Sequence, residues 1–198
     1  MTPLVNVRDF RKADFDINPL FLNRWSPRSL SGEDISKDEL MPLFEAARWA
    51  PSSYNNQPWR FLYALKNTDH WSRFFGLLVK ANQAWAQHAA ALIVIVSKTT
   101  FDHNGKPSIT HSYDSGAAWL SIALQGSLAG LVVHGMQGFD YSRAREILQI
   151  PDDYQVEAMA AVGKPGVKDD LSPALKEREV PSGRKRLAEI VFEGGMSA

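Results

Sequence analysis

The 198-residue chain contains no cysteine. Disulfide scaffolds, thiolate zinc sites and cysteine nucleophiles are therefore excluded, and a reducing cytoplasm suits the composition. It carries no net charge, with Lys+Arg and Asp+Glu at 22 each. No global field draws it to nucleic acid or to an anionic membrane. Long apolar runs are also missing: the longest, Ala89 to Val96, falls far short of the ~20 residues a membrane helix needs. Met1-Thr2-Pro3-Leu4-Val5-Asn6 shows no basic region leading into an apolar one, so no signal peptide is expected. P-loop, Rossmann and nucleophile-elbow sequences do not occur. His88, His103, His111 and His134 read as ordinary loop or helix residues. His103 and His111, supported only by Asp102 and Asp114, make a poor metal site. A soluble, cytoplasmic, metal-free protein is the expectation.

What is present suits one domain over residues 1–198. The chain is 44% hydrophobic and 22% charged, and at this length roughly 70% of the unfolded surface can be buried. Residues 1–23 are mixed and aromatic, an N-terminal extension without a clean period. Ser36-Lys37-Asp38-Glu39 has capping-box spacing, and Leu40, Leu43, Phe44 and Ala47 then recur at helical intervals until Pro51. A strand is expected over 60–66, then a helix capped by Thr68 or Asp69 and running through Leu78. Lys80 to Trp85 breaks the pattern before a short helical turn. Ala91 to Val96 reads as a strand buried on both faces, and residues 98–110 as a polar loop.

The longest helical stretch is expected over 110–133, with Ala117, Leu120, Leu124, Leu128 and Leu131 as one stripe. Its other side is apolar too, which marks a central helix or a subunit interface. His134 to Asp140 reads as a tight loop, Asp140 as the cap of a helix over 142–148, and residues 156–162 as a further strand. Residues 167–181 look loop-like, 187–192 short and extended, and 182–198 form a C-terminal segment. Few strands among several helices give an α+β domain.

Several stretches could carry chemistry. Arg24-Trp25-Ser26-Pro27-Arg28 is either a solvated turn or an anion clamp, since guanidinium groups fork onto phosphate and hydroxyls donate to it. Ala50-Pro51-Ser52-Ser53-Tyr54-Asn55-Asn56-Gln57-Pro58-Trp59 holds more amide and hydroxyl groups than a turn requires. Asn82, the glycine-rich run at 135–138 and the basic cluster at 184–186 complete the set. Trp59 and Trp85 read as core. The 98–113 loop, with Phe101, His103 and His111, is open to two readings: a pocket wall or a mobile surface loop.

These stretches, in this order, resemble the nitroreductase family of FMN-dependent oxidoreductases from about Arg24 to about Val191. Residues 24–28 are similar to its R-x-S-x-[RK] signature, and residues 50–59 to its A-P-S-S-x-N-x-Q-P-W motif almost letter for letter. Gly130-Leu131 with Gln137-Gly138-Phe139-Asp140 resembles G-L…[EG]-G-F-D, and Arg184-Lys185 with Leu187 and Glu189 the closing R-K-x-L-x-E. Asn82 falls at the family's flavin-contacting asparagine. Gln137 departs from the glutamate of some members, which keeps a backbone role and removes a charge role.

The resemblance implies a mixed, mainly antiparallel sheet flanked by helices, in an intertwined homodimer with FMN at the interface. Arg24, Ser26 and Arg184 would hold the phosphate, with Trp25 beside them and Lys185 or Arg186 as alternative phosphate ligands. Arg28 would lie by the pyrimidine edge, Asn82 would bond the ring edge, and a backbone N–H at Gln137 or Gly138 would face N5. Pro51, Ser52, Ser53 and Asn55 would come from the partner chain. The implied activity is hydride transfer from NADH or NADPH through FMN to a nitroaromatic, quinone or related acceptor. Dehalogenation, enone reduction, flavin fragmentation or non-catalytic flavin binding are alternatives on the same fold.

Overall fold

The computed structural model describes residues 6–196; Met1–Val5, on which most of the signal-peptide reading rests, lie outside them. Four strands, β1 (Trp59–Leu65), β2 (Ala91–Lys98), β3 (Val132–Met136) and β4 (Tyr154–Gly163), form one sheet in the order β1-β2-β4-β3. All three pairings are antiparallel. Seven helices accompany it among the described residues: α1 (Pro19–Asn23), α2 (Lys37–Arg48), α3 (Trp71–Phe75), α4 (Lys80–Ala86), α5 (His111–Leu128), α6 (Tyr141–Ile147) and α7 (Pro173–Glu177).

The β2 run is apolar without interruption because both sheet faces are covered. Leu92, Val94 and Val96 point into one core, with Phe74 and Trp85 from α3 and α4 and Ala144 from α6. Ile93 and Ile95 point into the other, with Leu40, Leu43 and Ala47 from α2 and Ala118 and Ile122 from α5. This period-two division is what a central strand requires. Trp59 and Trp85 are both core residues, 6% and 1% exposed.

The capping box forms as read: Ser36 Oγ accepts from Glu39 N–H and the Glu39 carboxylate accepts from Ser36 N–H. Asp140 likewise caps α6 through Arg143 N–H.

Several expectations are corrected. Neither Thr68 nor Asp69 caps α3, whose N-cap is His70; Thr68 Oγ1 instead donates to Leu65 O. Lys80 opens α4 rather than breaking a pattern. The long helix stops at Leu128. Gly130, at φ +72°, closes it with Leu131 N–H on Gly126 O, and residues read as more helix and loop become strand β3. A short helix, α7, lies inside 167–181, and residues 187–189 form a 3-10 turn rather than an extended segment. In α5 the buried face is Ser115, Ala118, Ile122, Ala123 and Gly126, whereas Leu120 and Leu128 are 44% and 66% exposed.

Candidate functional site

Residues 24–29 run in irregular backbone between α1 and α2 and are fastened from four sides. Arg11 donates Nη1–H to the carbonyls of Leu22 and Arg24, at 2.8 and 2.9 Å, and Nε–H to Ser182 O at 2.8 Å. The carbonyl of Pro27 can only accept, so His134 Nδ1, 2.9 Å away, carries the hydrogen. Glu179, 1% exposed, takes the N–H groups of Arg28 and Ser29 and the Ser29 hydroxyl at 2.7–3.0 Å. Gly166 N–H donates to Ser29 O. A loop whose polar groups are this fully engaged is pre-organised.

The electrostatics of this corner are one-sided. Burial, then the like charge of Arg184, lowers the pKa of Arg24 from its ordinary value. Arg11 is lowered by burial and then by Arg184 and Arg24. No carboxylate pairs with any of the three among the described residues. Arg24 Nη1 reaches Ser26 Oγ at 3.2 Å, and Arg184 rests on Ser182 and Gly183. Three clustered guanidinium groups beside a hydroxyl are the donor set that an anion would take.

A cleft of about 610 Å³ opens here, lined by Arg24 and Ser26, by Gly135, Met136 and Gln137, and by faces of α5 and β4. It brings together the two predicted motifs at 24–26 and 137. Gly138 follows directly, and Asn82 Nδ2 donates to its carbonyl at 3.0 Å. A Cβ on residue 138 would stand 2.7 Å from that amide nitrogen, which explains the glycine. A second cavity of about 420 Å³ shares Arg24 and is lined by Trp25, Pro27, Ser29 and Glu179. Arg28 is half-buried and, like Asn82, Gly138 and Arg184, lines neither cavity.

Pro51, Ser52, Ser53 and Asn55 line neither cavity. Their loop is held by Ser53 N–H on Asp114 Oδ2 and by Gln57 N–H on Ser52 Oγ. Tyr54, Asn55 and Gln57 all have φ near +50°, a strained arrangement for side-chain-bearing residues that is concentrated at functional loops. The 98–113 loop leans on it: Asn56 bonds Thr100 O and Asp102 N–H, and the Tyr54, Phe101 and His103 rings meet at 5.4–5.8 Å. Arg11, His134 and Glu179 were not legible as site residues. None belongs to a spaced motif, and each reaches the 24–29 segment only through the fold.

A model of the nitroreductase family matches residues 22–78, which include both N-terminal motifs. A solved oxidoreductase containing FMN is 46% identical, with a TM-score of 0.92 over 100% of this chain and 99% of that one. A nitroreductase family protein from Clostridium difficile 630 superposes with a TM-score of 0.69 at 22% identity, over 92% of this chain and all of its own. The uncharacterized 15.4 kDa protein in the ask 5′ region of Mycolicibacterium smegmatis is 30% identical over 121 residues, 59% of this chain and 78% of that protein. With its four-stranded antiparallel sheet flanked by helices and its motifs in order, the chain belongs to the nitroreductase family.

Proposed function

We propose that the protein is a homodimeric FMN-dependent oxidoreductase that uses NADH or NADPH to reduce nitroaromatics, quinones or related small acceptors. The observation that carries this is the trio Arg11, Arg24 and Arg184, without a carboxylate partner among the described residues, beside the cleft that holds Ser26 and Gln137. When bound, FMN would supply reversible hydride chemistry at N5, taking a hydride from the nicotinamide and passing it to the acceptor in a ping-pong cycle.

The residues fit that group. The cationic corner suits a phosphate dianion, and Ser115 Oγ in the cleft wall is buried without a hydrogen-bond partner among the described residues, an open hydrogen-bonding valence for a ligand. Arg24, Ser26 and Arg184 would hold the phosphate, with Arg11 keeping Arg24 in place. Arg28 would stabilise negative charge gathering on the pyrimidine side of the ring. Gln137 and Gly138 would present backbone to the ring's reactive edge, and Asn82 would hold that peptide in position. Pro51, Ser52, Ser53 and Asn55 would serve the partner's flavin, as the family pattern implies. The exposed Leu120 and Leu128 of α5 suit burial against a second copy. A cytoplasmic location, where nicotinamide reductants are kept, goes with this reading.

The purified protein should be yellow and should bleach with NADH or NADPH under argon. A colourless protein that takes up no added FMN would overturn the proposal.

A further inference from the structure

At the head of α5 lies a polar network that the roles above leave unused. Ser97, fully buried at the end of β2, hydrogen-bonds the Glu157 carboxylate, and its Oγ lies 2.7 Å from His111 Nδ1. Ser112 Oγ donates to the same carboxylate oxygen at 2.7 Å, and Gln155 Nε2 to the other at 3.3 Å. His111 Nδ1 stands 3.5 Å from Glu157 Oε1. Ser97 and Ser112 each spend their single hydrogen on Glu157. Ser97 Oγ can then only accept from His111, which places a hydrogen on Nδ1. The result is a directed chain, from His111 N–H to Ser97 O–H to the Glu157 carboxylate.

Its end is built into the cleft. Ile95 pairs with Ala158 and Val96 with Val156, so Glu157 is the extra residue of a β-bulge, a device that re-aims a side chain. Glu157 and Ser112 line the same cleft as Gln137, and β3 leaves the sheet opposite Met159, two residues from Glu157. The orphaned Ser115 hydroxyl lies one turn further along α5, in the same wall. Tyr141 on α6 also lies in electrostatic reach of the carboxylate, its phenol pKa raised by burial and then by Glu157, and Arg24 lines the same cleft. No Lys or Arg forms an ion pair with Glu157 among the described residues.

We infer that His111, Ser97 and Glu157 form a proton relay that feeds the acceptor in this cleft. The inference rests on the oxidoreductase reading above. Converting a benzoquinone to its hydroquinone adds two electrons and two protons. A hydride delivered through bound FMN would bring both electrons and one proton. The second proton enters at the His111 imidazolium, which passes it through Ser97 to the Glu157 carboxylate, and the carboxyl so formed would give it to the quinone oxygen. Solvent then reprotonates His111. Uptake of a hydride from the nicotinamide needs no such proton, so the relay acts on one half of the cycle only.

Anaerobic stopped-flow on the FMN-loaded protein separates the halves. In Glu157→Gln and Ser97→Ala, reoxidation by p-benzoquinone should slow by about 100-fold, the usual reach of a positioned general acid. Bleaching by NADH or NADPH and reoxidation by ferricyanide, which takes electrons without protons, should stay within about twofold of wild type. A readout independent of turnover is 15N NMR of the His111 ring in the flavin-free protein: Nδ1 should carry the hydrogen in wild type, and its resonance should shift in Ser97→Ala. Equal slowing of all three reactions, or an unchanged quinone step, overturns the relay while leaving the flavin reading intact. A wild-type protein that no nicotinamide bleaches overturns both.

Discussion

Glu179 gathers the backbone of residues 28–29 around a single buried carboxylate. Removing it leaves two partly buried N–H groups unpaired, at about 1–2 kcal/mol each. Glu179→Ala should lower the urea midpoint by an amount worth roughly 2–4 kcal/mol, and it should weaken FMN retention, because the phosphate-binding segment loses its anchor. Full stability with full flavin occupancy would refute that anchoring role. Arg28 itself is expected to act on the ring: Arg28→Ala should slow flavin reduction by about tenfold or more and lower the FMN potential. Unchanged kinetics at full occupancy would sink that assignment. On the other side of the segment, burial depresses the pKa of His134. The unfolded state therefore binds a proton more readily, and its contribution to stability is complete above the free-histidine value near 6.5 and is lost as pH falls towards the folded pKa. Urea midpoints taken between about pH 8 and pH 5 should fall more steeply for wild type than for His134→Gln; parallel curves would exclude the residue as the source.

At the scale of elements, α5 shows where periodicity misleads. Its leucines at 120, 124 and 128 share one face, and that face is partly or largely exposed, while Ser115, Ala118, Ile122, Ala123 and Gly126 pack inward. At Gly126 the approach is closest: a Cβ there would lie 2.4 Å from a Val133 methyl, so β3 leaves no room for a side chain at that position. Gly126→Ala should force α5 off the sheet at a cost of about 1–3 kcal/mol, seen as a lowered thermal midpoint. A neutral or stabilising result would mean that the helix yields freely. Strand β3 is hidden in the sequence for a different reason. Val132–Met136 is only five residues long, contains a histidine and a glycine, and continues an apolar helix without a polar break. Its strand identity comes from pairing with β4. By contrast the capping box at Ser36, the Asp140 cap and β2 were legible, because each depends on neighbours within a few residues or on uninterrupted apolarity.

For the whole molecule, the exposed stripe of α5 and the 51–57 loop outside both cavities support one expectation. Flavin and partner should be lost together. Diluting the protein below its dimer dissociation constant should release FMN, and Asn55→Ala should weaken FMN retention by roughly tenfold, the loss of one hydrogen-bonding contact. Gel filtration with absorbance at the flavin band measures both, and a monomer that keeps its flavin would overturn the shared site.

The sequence by itself determined the α+β class, the order of the motifs and the residue types that meet in the cleft. Those follow from local spacing and from side-chain chemistry, which a linear chain carries openly. Only the tertiary structure decided which groups hold residues 24–29 and which line the cleft. Arg11, His134 and Glu179 converge on one segment from opposite ends of the chain, and Glu157 meets Ser97 and His111 through a bulge in the register of β2 and β4. The loop at residues 50–59 belongs to both halves of that account. Its composition points to a binding role, which we propose it plays toward a second copy.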